Sequence, residues 1–131
     1  MKWNELTDAE IDVMDGPELD FHVADALGWG PYRYDRHHGG QVMARHSDSN
    51  VMRQWHPHTD ANQAREVWAA MAAIDDHVEL TMACDDVVID TSSYGQVTIL
   101  AEGDFCAAIC RAYLKARLDS DRWPAGCTRG I

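Results

Sequence analysis

The sequence predicts an α+β domain in which a three-stranded antiparallel β-meander is packed by helices, with an irregular insert that could extend it to four or five strands if it forms a hairpin. Three observations predict it. Apolar residues recur at helical spacing over 17–27, 61–72 and 105–116. The period changes to two at Val78-Glu79-Leu80-Thr81-Met82, the signature of a half-buried strand. The turn-forming clusters Asp85-Asp86 and Ser92-Ser93-Tyr94-Gly95 then divide the following chain into two more strands, 87–91 and 96–102.

Each element has a local reason. Thr7-Asp8-Ala9-Glu10 is a capping box with Leu6 and Ile11 placed as a hydrophobic staple, so a short helix starts there. Asp15-Gly16-Pro17 ends it and begins a second, because Pro suits a first helical position. Leu19, Val23, Ala26 and Leu27 then share one face, and Gly28 is the stop. From Trp29 to Pro57 the periodicity fails while Gly, His and Arg accumulate around Arg36-His37-His38-Gly39-Gly40. Weak alternation at Tyr32/Tyr34 and Val42/Ala44 suits a hairpin, and a long surface loop is the alternative. Thr59-Asp60 caps the next helix, whose inward positions are Ala61, Ala64, Val67, Trp68, Met71 and Ala72. Gly103-Asp104 opens the last helix, with Phe105, Ile109, Ala112, Tyr113 and Ala116 on one face and Cys106, Cys110 and Leu114 beside it. Residues 119–131 read as a loosely held tail.

A chain of 131 residues suits one hydrophobic core, so 1–131 is read as a single domain with a 30–57 insert. No run approaches the roughly 20 apolar residues of a membrane helix, and the N-terminus turns acidic where a signal peptide turns apolar. A cytoplasmic protein is expected, with Cys84, Cys106, Cys110 and Cys127 as reduced thiols. The net charge is −11, concentrated in 1–30 and 59–104, while 31–58 and 105–131 carry a small excess of bases. Direct binding to nucleic acid needs clustered Lys and Arg, so that class is excluded as the main activity; imitation of nucleic acid toward a basic partner is not.

Two blocks resemble the phage "ABA sandwich" family, small phage and prophage proteins in which helices cover an antiparallel sheet. Thr59-Asp60 leading to Glu66-Val67 is similar to its Ser-Thr-Asp helix start followed by Trp-Glu-Val, with Arg65 standing where the family usually has Trp. Ala101-Glu102 leading to Ala108-Ile109-Cys110-Arg111-Ala112 is similar to its Ala-Glu stretch followed by Ala-Ile-Cys-Arg-Ala, one residue shorter in the gap. Glu18-Leu19-Asp20 through Leu27-Gly28-Trp29 is a third, weaker likeness. The resemblance implies a sandwich-like fold with helices on both sheet faces and a phage or prophage setting. It brings no catalytic residues, and fold alone does not give function.

Few residue groups point to chemistry. His56, His58 and Asp60, with His37, His38 and His46 upstream, have ligand types that suit Zn or Fe(II), and the alternative is a His-rich surface loop. Cys106 and Cys110 are four apart on a helix and pack more naturally as small buried hydrophobes than as metal ligands. There is no nucleophile elbow and no phosphate-binding glycine loop. Trp29, Trp55 and Trp123 fall near element ends, where a ring covers a core edge or anchors a partner.

The expected function is therefore a non-enzymatic phage accessory protein without cofactor. It would bind and block a host protein complex, with inhibition of a CRISPR effector as the leading case. Its candidate partner-binding acids are Asp75, Asp76, Asp85, Asp86 and Asp90. The rival is a small-ligand or nucleotide-signal binder using Arg33, Arg36, Arg45 and Arg53, and a metal-dependent enzyme at His56, His58 and Asp60 is third. Self-association is left open.

Overall fold

A computed structural model describes residues 2–34, 41–45, 52–74, 77–83, 86–93 and 96–122. After one 3-10 turn at Trp3–Glu5 come α1 (Asp8–Val13), α2 (Gly16–Leu27), β1 (Tyr32–Tyr34), β2 (Gln41–Arg45) and β3 (Met52–Gln54). They are followed by α3 (Ala61–Ile74), β4 (Val78–Ala83), β5 (Asp86–Ser93), β6 (Gln96–Gly103) and α4 (Phe105–Arg122). The strands form two antiparallel sheets, β1-β2-β3 and β4-β5-β6. The fold is α+β with the expected meander. The insert builds a sheet of its own and does not lengthen the meander, and its third strand, Met52–Gln54, carries too short an alternation to be read from sequence.

Local chemistry explains the helix ends. Thr7 accepts from the Glu10 amide while the Glu10 carboxylate accepts from the Thr7 amide, closing the capping box, and the staple residues Leu6 and Ile11 are both buried. Asp15 caps α2 through the Gly16 amide, and Gly28 closes that helix at φ 79°, a left-handed geometry that costs glycine nothing. Asp60 caps α3 by accepting from the amides of Asn62 and Gln63.

Helix α4 is the centre of the molecule. It packs on β5 and β6 on one side and on α1, α2 and α3 on the other. This is why Ala107, Ala108, Ile109, Cys110, Ala112, Tyr113, Leu114, Ala116 and Leu118 are all buried, and why so many of them are small. The helix continues to Arg122, four residues past the point where the sequence pattern fades. Helix α3 is more peripheral than its pattern suggests. Ala64, Val67 and Met71 are buried and Trp68 is half-buried, but Ala61 and Ala72 are exposed, so its apolar stripe is one ridge wide. One buried cluster runs from Leu6 to Leu118 and includes Val42, Ala44 and Trp55 of the insert, so the second sheet shares the core of the first.

Helices meet the meander on the face that carries Val87, Ile89 and Thr91. The opposite face carries the exposed residues Glu79, Thr81, Ile99 and Glu102. Among the described residues the helical cover implied by the family resemblance is therefore present on one face only. Among them, too, no helix is long and apolar enough to cross a membrane.

Candidate functional site

The uncovered face of β4-β5-β6 is built by register. Glu79 pairs with Asp90, and Asp90 with Ile99, across the three strands; Thr81, Val88 and Glu102 form the next row. The register slips between Ile89 and Asp90, so that Leu100 is an extra residue on β6. One extra residue inverts the alternation beyond it. Strict alternation would place Thr98 rather than Ile99 on the polar face, whereas the bulge pairs Thr98 with Thr91 and turns Ile99 outward, where it is 58% exposed.

The charge on this face has one sign. None of the three strands contains Lys, Arg or His, and Glu79, Asp86, Asp90 and Glu102 supply the carboxylates. Glu79 stands directly across from Asp90, and like charges at opposed cross-strand positions destabilise a sheet. Of the acids singled out by sequence, Asp86 is exposed and Asp90 is half-buried on this face, while Asp75, Asp76 and Asp85 lie outside the described residues. Glu79 and Glu102 were not among them. Their signal lay in strand alternation, which marks them as outward-facing, and not in the acidic dipeptides of the turns.

Of the arginine group, two side chains are described. Arg45 is exposed, the side chain of Arg33 and the whole of Arg36 lie outside the described residues, and Arg53 is committed within the fold. Its Nη2 donates to both Glu66 oxygens, at 3.1 and 3.0 Å, and the guanidinium stacks over Trp29 and Trp55.

The histidine and aspartate group is likewise occupied. Asp60 caps α3, and His56 Nδ1 lies 3.4 Å from the Thr59 hydroxyl. The His58 amide donates to Asp20 Oδ1 at 3.0 Å, and its Nδ1 lies 2.5 Å from Asp20 Oδ2. Among the described residues no three His, Cys, Asp or Glu side chains are grouped to hold a metal ion; His37, His38 and His46 lie outside them. Both described cysteines are free thiols. Burial pushes the Cys110 thiol well above its ordinary range, with the Asp20 charge adding to it, and burial followed by Asp104 and Asp60 raises Cys106. Thiols held protonated are poor nucleophiles and poor metal ligands.

Asp20 is the polar feature that sequence reasoning missed. It is 1% exposed, in the middle of the buried arc Leu19, Asp20, Val23, Ala24 of α2, and it ties that helix to the loop that starts α3. Burial raises its pKa from 3.8 to about 6, against the lowering influence of His58. The folded state therefore binds this proton more tightly than the unfolded chain. The contribution of Asp20 to stability is full below about pH 3.8 and is lost as pH rises through about 6. Asp20→Asn mimics the protonated form. Urea unfolding of the two proteins should show the gap moving in favour of the variant by about 2 kcal/mol between pH 4 and pH 7, most of the free-energy equivalent of that shift. A gap that stays flat, or moves toward the native protein, refutes this.

Comparison with known proteins adds no relative: no protein-family model matches the chain, and neither a curated protein nor a solved structure matches it.

Proposed function

We propose that the chain is a non-enzymatic binding protein that presents the open face of β4-β5-β6 to a basic surface of a host macromolecule and blocks it. The observation that carries this reading is the cross-strand pair Glu79–Asp90 on an exposed face whose strands hold no base. Repulsion between these carboxylates opposes folding and is relieved when a cationic partner arrives. An interaction that weakens the free protein and strengthens the complex is what a binding face requires. The resemblance to phage ABA sandwich proteins supports a setting in the host cytoplasm. There an anti-defence role, with a nucleic-acid-binding CRISPR effector as target, fits an acidic mimic of nucleic acid. The ligand-binding reading draws no support from Arg53, which is spent on Glu66 and two tryptophans.

The test pairs two measurements on a Glu79→Gln, Asp90→Asn variant. Stability should rise by about 0.2–1 kcal/mol, because the like-charge pair is removed. Association with a basic partner captured from host lysate should slow at least tenfold at low salt and lose most of its salt dependence, since exposed charges steer encounter and are screened over about 10 Å at 0.1 M. Unchanged binding at low and high salt would overturn the proposal.

A further inference from the structure

One groove of about 350 Å³ is lined by Asp12, Ile99, Leu100, Ala101, Glu102, Arg111 and Lys115. Four of these are consecutive residues of β6. Side chains of a strand alternate between its two faces, and here Ile99 and Glu102 belong to the open face while Ala101 belongs to the helix-covered face. Residues from both faces can border one groove only if it runs along the edge of the strand. β6 pairs with β5 alone, and among the described residues its other edge makes no backbone hydrogen bond. Every second residue there thus offers an unpaired N–H and C=O to the groove. The far wall is charged but internally neutralised: Lys115 pairs with Asp12, and Arg111 donates from Nε to the Met14 carbonyl at 3.1 Å and faces Asp15. Among the described residues no Lys, Arg or His pairs with Glu102, which lines the same groove as the exposed Ile99.

We infer that the β6 edge accepts an extended, basic segment of a partner protein by strand addition, with its Lys or Arg side chains on the open face, their aliphatic stems over Ile99 and their charges at Glu102, and its apolar side chains on the other face. This rests on the open face of the meander being the binding face, and it names how the partner docks. Charge selects the occupant. A second copy of a chain with net charge −11 would bring its own acidic face to the same edge, whereas a basic strand extends the sheet and neutralises it. The bulge at Leu100 breaks the regular ladder, which discourages indiscriminate edge pairing and leaves a partner that fits the interruption.

The experiment uses the whole chain and three synthetic octapeptides: alternating Lys-Val, alternating Glu-Val, and the Lys-Val peptide with alternate amides N-methylated. Amide hydrogen exchange and fluorescence anisotropy are the readouts. The expected result is binding of the Lys-Val peptide with slowed exchange between Ile99 and Glu102 and none in β4. The acidic peptide should not bind, and methylation should weaken binding at least tenfold because it removes the ladder donors. An Ile99→Lys, Glu102→Lys variant, both positions exposed, should melt as the native protein does and bind at least tenfold more weakly. Equal binding of the methylated peptide would show attraction by charge alone, which overturns strand addition and leaves the acidic-face reading standing. Protection of 99–102 that appears without peptide and grows with protein concentration would assign the edge to a second copy and overturn the proposal. Failure of the Lys-Val peptide to bind, together with loss of salt-dependent partner binding in the Glu79→Gln, Asp90→Asn variant, would also overturn the edge and keep the face.

Discussion

Ile109→Asp is expected to leave no cooperative unfolding transition. Ile109 is 1% exposed on α4, the helix that lies between the meander and the other three helices, so no movement of one neighbour can hydrate a carboxylate there. Burying an unpaired charge costs several kcal/mol even when the group neutralises by shifting its pKa, and that is comparable with the ~5–15 kcal/mol that holds such a domain together. Ile109→Val removes one methylene from the same site and should cost only about 0.5–1.5 kcal/mol, keeping the transition two-state. Near-UV dichroism and thermal melts of both variants check the pair. A folded Asp variant would mean that α4 is not the central helix.

That helix was legible because every cue in it agrees. Apolar residues fill two adjoining stripes, small residues allow close packing, and Asp104 precedes it as a cap, its carbonyl and carboxylate accepting from the amides of Ala108 and Ala107. The capping box at Thr7 and the stop at Gly28 were equally local and equally clear. The strands β1 to β3 were not, because three- and five-residue segments carry too few alternations to set a period, and the β3 edge is defined by pairing with β2. The open face was half legible. Alternation marks Glu79 as outward, but the bulge that turns Ile99 outward follows from how β6 pairs with β5 and has no turn residue or glycine to announce it. Asp20 illustrates the opposite failure. Its neighbours Leu19, Val23 and Ala24 show a broad buried arc, yet a carboxylate within that arc reads as polar until His58, 38 residues away, is seen to hold it. The histidine loop therefore serves Asp20, Thr59 and the cap of α3, which is a structural use of residues whose types alone suggested a metal.

The second large effect concerns Trp55, which joins the two sheets' shared core to α3. Its ring is fully buried, meets Trp29 edge to face at 4.8 Å and 71°, and lies under the Arg53 guanidinium at 5.4 Å, while Arg53 in turn holds Glu66 of α3. Trp55→Ala removes the ring from this stack and leaves a cavity that neighbours on three elements cannot all close. The expected cost is about 3–5 kcal/mol, a drop in melting temperature on the order of 10–25 °C for a chain of this size. Trp55→Phe separates the ring from its polar atom. The indole Nε1 has no hydrogen-bond partner among the described residues, so its loss forfeits no bond, and the ring face that meets Trp29 and Arg53 is retained. The cost of that substitution should be about 1–2 kcal/mol, the buried area lost and a small void. Chemical unfolding of the two variants tests the ordering. If Trp55→Phe is as damaging as Trp55→Ala, the indole N–H makes a bond that stabilises the fold, and the aromatic stack is not what anchors β1-β2-β3 to the core.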